Sequence, residues 1–286
     1  MSKVAKAVIG QIGNMAAGKV PVADAHLKRF LFVVLVDVSG STAEAFKGNP
    51  PDIHAINDAL PLICKALREP RAGTPLARVH KQLDLAIVAY SHRIQEILPW
   101  TLATKLQASF APLTPEGGTA TGAALEHVQQ MIHARQTELR ASKTPLGMPH
   151  IIHVTDGGPT DMQPGDAKWN AVQARLAKVG GMQGLESIKT AAIMHFVTPN
   201  GCDPDFIGNQ IFAASAGQTG MERLGQLSGA ASVHPVEEGG KLTETLVELV
   251  TATIINVSSL NMPANEAAKA ATKKAKEGKN DSTIID

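Results

Sequence analysis

Segments with strand-like and helix-like apolar patterns alternate through most of this chain. Because helices of this length join consecutive strands, the pattern predicts parallel β-α-β units. The predicted strands are 30–36, 83–91, 93–100, 150–155, 188–198 and 231–236, and the predicted helices are 51–67, 121–139, 166–179, 220–229 and 241–257. The segment 93–100 alternates like an edge strand after a hairpin. The predicted fold class is therefore α/β, a doubly wound, Rossmann-like and mainly parallel central sheet with one antiparallel edge strand and helices on both faces.

The composition agrees with a core of this kind. Apolar residues make up 44% of the 286 residues and aromatic residues only 3%, so Val, Ile, Leu and Ala must fill the core. Such residues suit parallel strands that are buried on both faces. The few aromatic residues and the net charge of +1 argue against binding to nucleic acid or to an anionic membrane. No apolar run is long enough for a membrane span.

Three regions differ in composition. Residues 1–28 are predicted to be an N-terminal extension, 29–258 the folded domain, and 259–286 a flexible tail rich in Lys and Ala. Cys64 and Cys202 are read as unpaired thiols in a reducing compartment, with Cys64 in the core. The polar residues within the N-terminal segment argue against a signal peptide. The expected location is the cytoplasm.

Oxygen-bearing side chains follow the predicted parallel strands. Asp37, Ser39 and Ser41 follow the first strand in "LFVVLVDVSGST", and Asp156 follows the strand 150–155. Thr119 lies in the glycine-rich loop "TPEGGTATGAAL", just before a long helix. Ligands of open α/β sheets bind beyond the carboxyl ends of the strands. These five side chains are therefore expected to meet at one edge of the sheet.

Hydroxyls and carboxylates are ligands for Mg²⁺, Mn²⁺ or Ca²⁺ rather than for Zn²⁺ or copper. Neutral hydroxyls leave such an ion short of negative charge, so it should attract a carboxylate from outside. Each residue alone has a simpler interpretation: Asp37 or Ser39 as a helix N-cap, and Asp161 as a turn or cap residue. The five together favour a metal site.

The motifs "LVDVSGST", "EGGTATGAAL" and "VTDGGPTD" resemble the metal-ion-dependent adhesion site of von Willebrand factor A domains, over about residues 29–258. Within this family, the motif sequences most resemble those of the bacterial TerY-like subgroup linked to tellurium resistance. The resemblance implies that Ser39, Ser41 and Thr119 contact the metal and that Asp37 and Asp156 hold it largely through water. It also implies a protein partner that supplies Asp or Glu, and an association with a protein kinase and a PP2C-type phosphatase. Thr42, where the family often has an apolar residue, and the long segment 201–219 depart from the family pattern.

Other functions have less support from the sequence. A metal-dependent hydrolase would need a general base or a second metal site, and neither is evident at the strand ends. No nucleotide-binding loop follows a strand. His150 and His153 should point to opposite faces of their strand, and the histidines are expected to pack or face solvent. The predicted function is a metal-dependent protein-interaction module and not an enzyme; the alternatives are a metal-dependent hydrolase or the partner of an AAA+ ATPase in a chaperone-like pair.

Overall fold

The computed structural model describes a six-stranded sheet and the helices that cover its two faces. The described residues are 27–44, 51–107, 109–147, 149–155, 159–162, 166–168, 170–171, 193–198, 232–235, 243–244, 246–248 and 250–252. The predicted helix 220–229, the segment 201–219 with Cys202, most of the N-terminal extension and the whole tail lie outside these residues. No helix of the described part is both long and apolar enough to cross a membrane.

The strands confirm the predicted fold class. They are β1 Phe30–Asp37, β2 Leu83–Tyr90, β3 Ile94–Leu102, β4 His150–Val154, β5 Ile193–Thr198 and β6 Ser232–Pro235. Their order in the sheet is β3-β2-β1-β4-β5-β6, and every neighbouring pair is parallel except β2 with β3. The antiparallel strand lies at one edge, as expected. Because the strand order reverses beside β1 and β4, the binding position of such a sheet lies at the carboxyl ends of these two strands.

The helices are α1 Asp52–Arg68, α2 Pro75–Val79 and α3 Thr121–Ala141, and 3-10 turns occur at Gly40–Ala43, His80–Gln82 and Ala103–Lys105. Residues 167–168, 170–171, 243–244, 246–248 and 250–252 are also helical, within two further predicted helices. The five-residue α2 was not predicted, because its apolar pattern is too short to be recognised.

Pro61 lies inside α1, where a proline usually bends or ends a helix. The helix runs from Asp52 to Arg68 with Pro61 inside it. Proline removes one backbone hydrogen bond of a helix. Buried side chains on both sides of it, such as Leu60 and Ile63, belong to the core. Their burial stabilises the helix by more than the lost bond costs.

The two faces of β1 alternate between two cores. Phe32, Val34 and Val36 belong to the core that also contains the buried side chains of α1. The intervening Leu31, Val33 and Leu35 pack with Leu125, Val128 and Ile132 of α3. This period of two is the property of a strand. Asp37 continues the row that faces α3, so its position in the sequence already selects the side of the sheet on which it lies.

His150 and His153 confirm the predicted opposite orientations. The ring of His150 stacks on Phe32 with 5.1 Å between ring centroids, on the α1 face. His153 contacts Tyr90, which belongs to the core under α3. Cys64 is fully buried, as predicted, and burial raises the pKa of its thiol to about 12. It is a core side chain rather than a reactive one.

A buried ion cluster ties α3 to the amino-terminal end of β2. The carboxylate of Asp84 accepts hydrogen bonds from Arg135 of α3 at 2.7 and 2.9 Å, and Arg29 lies 3.7 Å away. Arg135 also donates to Glu138 at 2.7 Å. Burial alone would lower the pKa of Arg135, but the charge of Asp84 and the hydrogen bonds to Glu138 and Asp84 raise it. The guanidinium therefore stays charged.

Asp84→Ala is expected to lower the free energy of unfolding by about 3–5 kcal/mol, because it leaves buried guanidinium charges without their carboxylate. Glu96→Ala is the matched control, since Glu96 pairs with His127 on the surface and such pairs contribute about 0–1 kcal/mol. Urea unfolding followed by circular dichroism measures both variants. Equal midpoints for the two variants would contradict the structural role of the cluster.

Candidate metal-binding site

The candidate site begins at Asp37, the last residue of β1. Its side chain is 1% exposed, which is unusual for a carboxylate. One oxygen, Oδ1, accepts the backbone N–H of Ser39 at 2.9 Å. The other, Oδ2, accepts the hydroxyls of Thr155 at 2.8 Å and Tyr90 at 3.4 Å. Donors on three different segments therefore compensate for the buried charge and set the orientation of the carboxylate.

Ser39 and Ser41 form a pair of hydroxyls directly after Asp37. Their Oγ atoms lie 3.1 Å apart, with Ser39 buried and Ser41 exposed. The 3-10 turn at Gly40–Ala43 brings them together. Thr42, a departure from the family pattern, is buried in this turn and donates its hydroxyl to the carbonyl of Ser39 at 2.8 Å. The hydroxyl of Thr42 thus stabilises the turn that presents the two serines.

The loop that contains Thr119 is hydrogen-bonded to the loop after β1. The N–H of Gly40 donates to the carbonyl of Gly117 at 3.0 Å, and the N–H of Glu116 donates to that of Val38 at 2.9 Å. Gly117 has φ +59°, and a Cβ atom there would lie 2.0 Å from Nδ1 of His92. A larger residue would therefore be excluded by both the backbone conformation and His92.

Thr119 itself is held by Thr160, from the segment after β4. The N–H of Thr119 donates to Oγ1 of Thr160 at 3.1 Å, and the N–H of Thr160 donates back to the carbonyl of Thr119 at 2.8 Å. Thr119 is 6% exposed. The loops after β1 and before α3 and the segment after β4 are thus joined to one another by backbone hydrogen bonds at one edge of the sheet.

Four of the five predicted site residues lie among the described residues, at this edge. Asp156 lies outside them; its predicted place follows Thr155, whose hydroxyl contacts Asp37. Asp161 was interpreted as a turn or cap residue. Its carboxylate accepts the N–H groups of Gly122 and Ala123 at 2.9 Å each, which caps the amino-terminal end of α3, and Lys168 pairs with it at 2.5 Å.

The donor set fits a hard divalent cation. Within the described part of the chain, no group of three or more His, Cys, Asp or Glu side chains is placed to hold a metal. A metal at this edge would therefore depend on the hydroxyls of Ser39, Ser41 and Thr119, which suit Mg²⁺, Mn²⁺ or Ca²⁺. Both oxygens of Asp37 already accept protein hydrogen bonds, an arrangement in which a carboxylate can hold an ion through water.

Tyr90 and His153 belong to the surroundings of the site and were not predicted as part of it. The hydroxyl of Tyr90 lies 2.8 Å from Nε2 of His153 and 3.3 Å from Oγ1 of Thr121. A signal for them existed in the sequence. Tyr90 ends β2 as Asp37 ends β1, the two are register partners, and His153 shares the α3 face of β4 with Ile151.

Comparison with known proteins found one similar domain family. Residues 32–159 match the family described as the von Willebrand factor type A domain. The match covers 128 of the 286 residues, and over this stretch the chain is similar to that family. This supports the coarser part of the resemblance, while the metal site and the TerY-like subgroup stay predictions. A comparison with curated proteins gave no match.

Solved structures give a likeness of fold. The pilus adhesin SpaC from Lactobacillus rhamnosus GG has 13% identity and a TM-score of 0.53, with 81% of this chain and 31% of that chain covered. The minor pilin PilB from Streptococcus sanguinis has 14% identity and a TM-score of 0.46, with 82% and 64% covered. This chain thus spans less than two thirds of the length of either protein.

The stability of the protein should fall as the pH drops from about 6.5 towards 3. Burial lowers the pKa of His150 and of His153 to about 3, whereas an exposed imidazole titrates near 6.5. In this window the unfolded chain binds protons that the folded chain does not, so acid favours unfolding. His150→Gln should make the melting temperature in EDTA less dependent on pH between 6.5 and 5.

The ring signals of the wild-type protein provide a second measurement. In NMR spectra of imidazole-labelled protein, the signals of His150 and His153 should not titrate between pH 7 and 5. Titration of all histidines near pH 6.5 would contradict the burial of these two rings.

Proposed function

We propose that this chain is a protein-interaction module that binds one divalent cation, Mg²⁺ or alternatively Mn²⁺ or Ca²⁺, and through it an acidic residue of a protein partner. Asp37, Ser39, Ser41, Thr119 and Asp156 would hold the ion. The observation that carries the proposal is the 3.1 Å pair of serine hydroxyls beside a buried carboxylate that is already bonded to protein donors. Ser41 is exposed, so a partner can approach this edge.

The charge of this donor set supports an outside ligand. Two aspartates and three neutral hydroxyls provide few negative charges close to the ion. When bound, the cation supplies a positive centre that a partner's Asp or Glu can complete. A hydrolase is disfavoured at the described edge, where the buried His153 has its pKa lowered to about 3 and is bonded to Tyr90 instead of facing solvent.

Metal binding is tested by calorimetric titration with Mg²⁺ and Mn²⁺. The wild-type protein should bind one ion, and Asp37→Ala combined with Asp156→Ala should abolish the heat of binding. Ser41→Ala should weaken binding, because one hydroxyl of the pair is lost. Ser142→Ala is the matched control, since Ser142 is also an exposed serine but lies after the end of α3.

The same titration can contradict the proposed metal site in two ways. Unchanged binding in the double aspartate variant would place the ion elsewhere, and absence of binding in the wild-type protein would overturn the proposal. Bound metal should also raise the melting temperature, because a ligand at 100 times its Kd contributes about 2.7 kcal/mol to stability.

The partner is the less constrained part of the proposal. We propose a cytoplasmic TerY-like role beside a protein kinase and a PP2C-type phosphatase. The resemblance of the motifs "GGTATGAAL" and "TDGGPTD" to the TerY-like subgroup supports this role. Co-purification with the kinase and phosphatase encoded nearest to this chain should occur in Mg²⁺, and should fail in EDTA and with Ser39→Ala. Co-purification that persists under both conditions would refute bridging by the metal.

Two other outcomes distinguish the alternatives. Binding to a neighbouring AAA+ ATPase instead would assign the chain to a chaperone-like pair. Metal-dependent turnover of phosphoesters or peptides by the purified chain would assign it to the hydrolases.

A further inference from the structure

The hydroxyl of Tyr90 joins the carboxylate of Asp37 to a buried histidine. It lies 3.4 Å from Oδ2 of Asp37, 3.3 Å from Oγ1 of Thr121 and 2.8 Å from Nε2 of His153. Tyr90 is 0% and His153 1% exposed. Register places Tyr90 directly beside Asp37, on the neighbouring strand and on the same face. The contact therefore follows from the sheet and not from a loop.

The number of protons available in this cluster determines the direction of its hydrogen bonds. A carboxylate can only accept, so the single proton of the phenol must point to Asp37 for a hydrogen bond to form there. Tyr90 then accepts from His153, which requires the proton of the neutral imidazole to be on Nε2. The reverse arrangement, with Tyr90 donating to His153, would bring the phenol oxygen and the carboxylate together in a buried place without a proton between them.

We infer that Tyr90 is a positioning residue of the metal site and that His153, as the Nε2–H tautomer, directs the Tyr90 hydroxyl towards Asp37. The effect of Tyr90 on metal binding rests on the proposed function, whereas the direction of the hydrogen bonds does not. Together with Thr155, Tyr90 holds Oδ2, while the N–H of Ser39 holds Oδ1. The carboxylate is thereby kept beside the serine hydroxyls before any ion arrives.

Residues that orient metal ligands from behind typically change metal affinity about 10- to 100-fold when they are removed. Tyr90→Phe removes one oxygen from a packed ring, so it tests the hydroxyl with little change in volume. His153→Leu removes the donor to Tyr90. His153→Gln keeps an N–H donor near the position of Nε2 and serves as the conservative rescue.

His150→Leu is the matched control for damage to the fold. His150 lies on the same strand and is equally buried, and burial lowers its pKa in the same way. Its ring stacks on Phe32 at the other face of the sheet, away from the Tyr90 cluster. Loss of metal affinity through general destabilisation should affect His150→Leu as much as His153→Leu.

The affinity for Mn²⁺ is measured by electron paramagnetic resonance, in which the signal of the free ion falls as it binds. Tyr90→Phe and His153→Leu should each weaken binding about tenfold or more, while His153→Gln and His150→Leu should stay within about twofold of the wild-type protein. Circular dichroism confirms that each variant is folded. Wild-type affinity in folded Tyr90→Phe, or equal losses in the two Leu variants, would overturn the positioning role.

The tautomer is measured separately, on the metal-free wild-type protein, from the ¹⁵N shifts of the histidine rings. His153 should carry its proton on Nε2, and a proton on Nδ1 would overturn the inference even if metal binds as proposed. Conversely, a wild-type protein that shows the Nε2–H tautomer but binds no Mn²⁺ would overturn the proposed function while leaving the hydrogen-bond direction established. The two failures are therefore distinguishable.

Discussion

The carboxylate of Asp37 is the group around which this end of the molecule is arranged. A buried charge costs several kcal/mol unless donors surround it. The donors come from the loop after β1, from the end of β2 and from the residue after β4, so one side chain requires three segments to take up fixed positions. On the α3 face of β1, the apolar side chains from Leu31 to Leu35 are thus followed by Asp37, the polar group that organises the edge of the sheet.

The loops at this edge are fixed mainly by backbone hydrogen bonds. Gly40 bonds to Gly117, and Thr119 and Thr160 bond to each other in both directions. The peptide groups thus position the loops, and the hydroxyls of Thr42 and Thr160 add to this by bonding to the backbone of Ser39 and Thr119. The hydroxyls of Ser39 and Ser41 lie 3.1 Å apart on a loop positioned in this way.

The strands and long helices could be predicted because their apolar periods are local. The same period placed Asp37 on the α3 face and separated His150 from His153. The rule for parallel sheets predicted that the loops after β1 and before α3 lie together, and Gly40 bonds to Gly117 there. The short α2 was missed, since packing and not a long apolar period decides where it forms. Tyr90 and Thr160 were missed as well, because their roles depend on pairings across strands and loops that no local pattern records.

Helix α3 is bonded to both ends of strand β2. These two attachments fix the number of residues that the helix can have between them. Near its start, Thr121 contacts Tyr90, and further along Arg135 binds Asp84. The helix between these residues is about 21 Å long and the strand between theirs about 20 Å, so the two elements match. A one-residue insertion between Thr121 and Arg135 would turn the helix by about 100° and break one attachment. Related sequences should accordingly vary in length in their loops and keep this stretch at constant length.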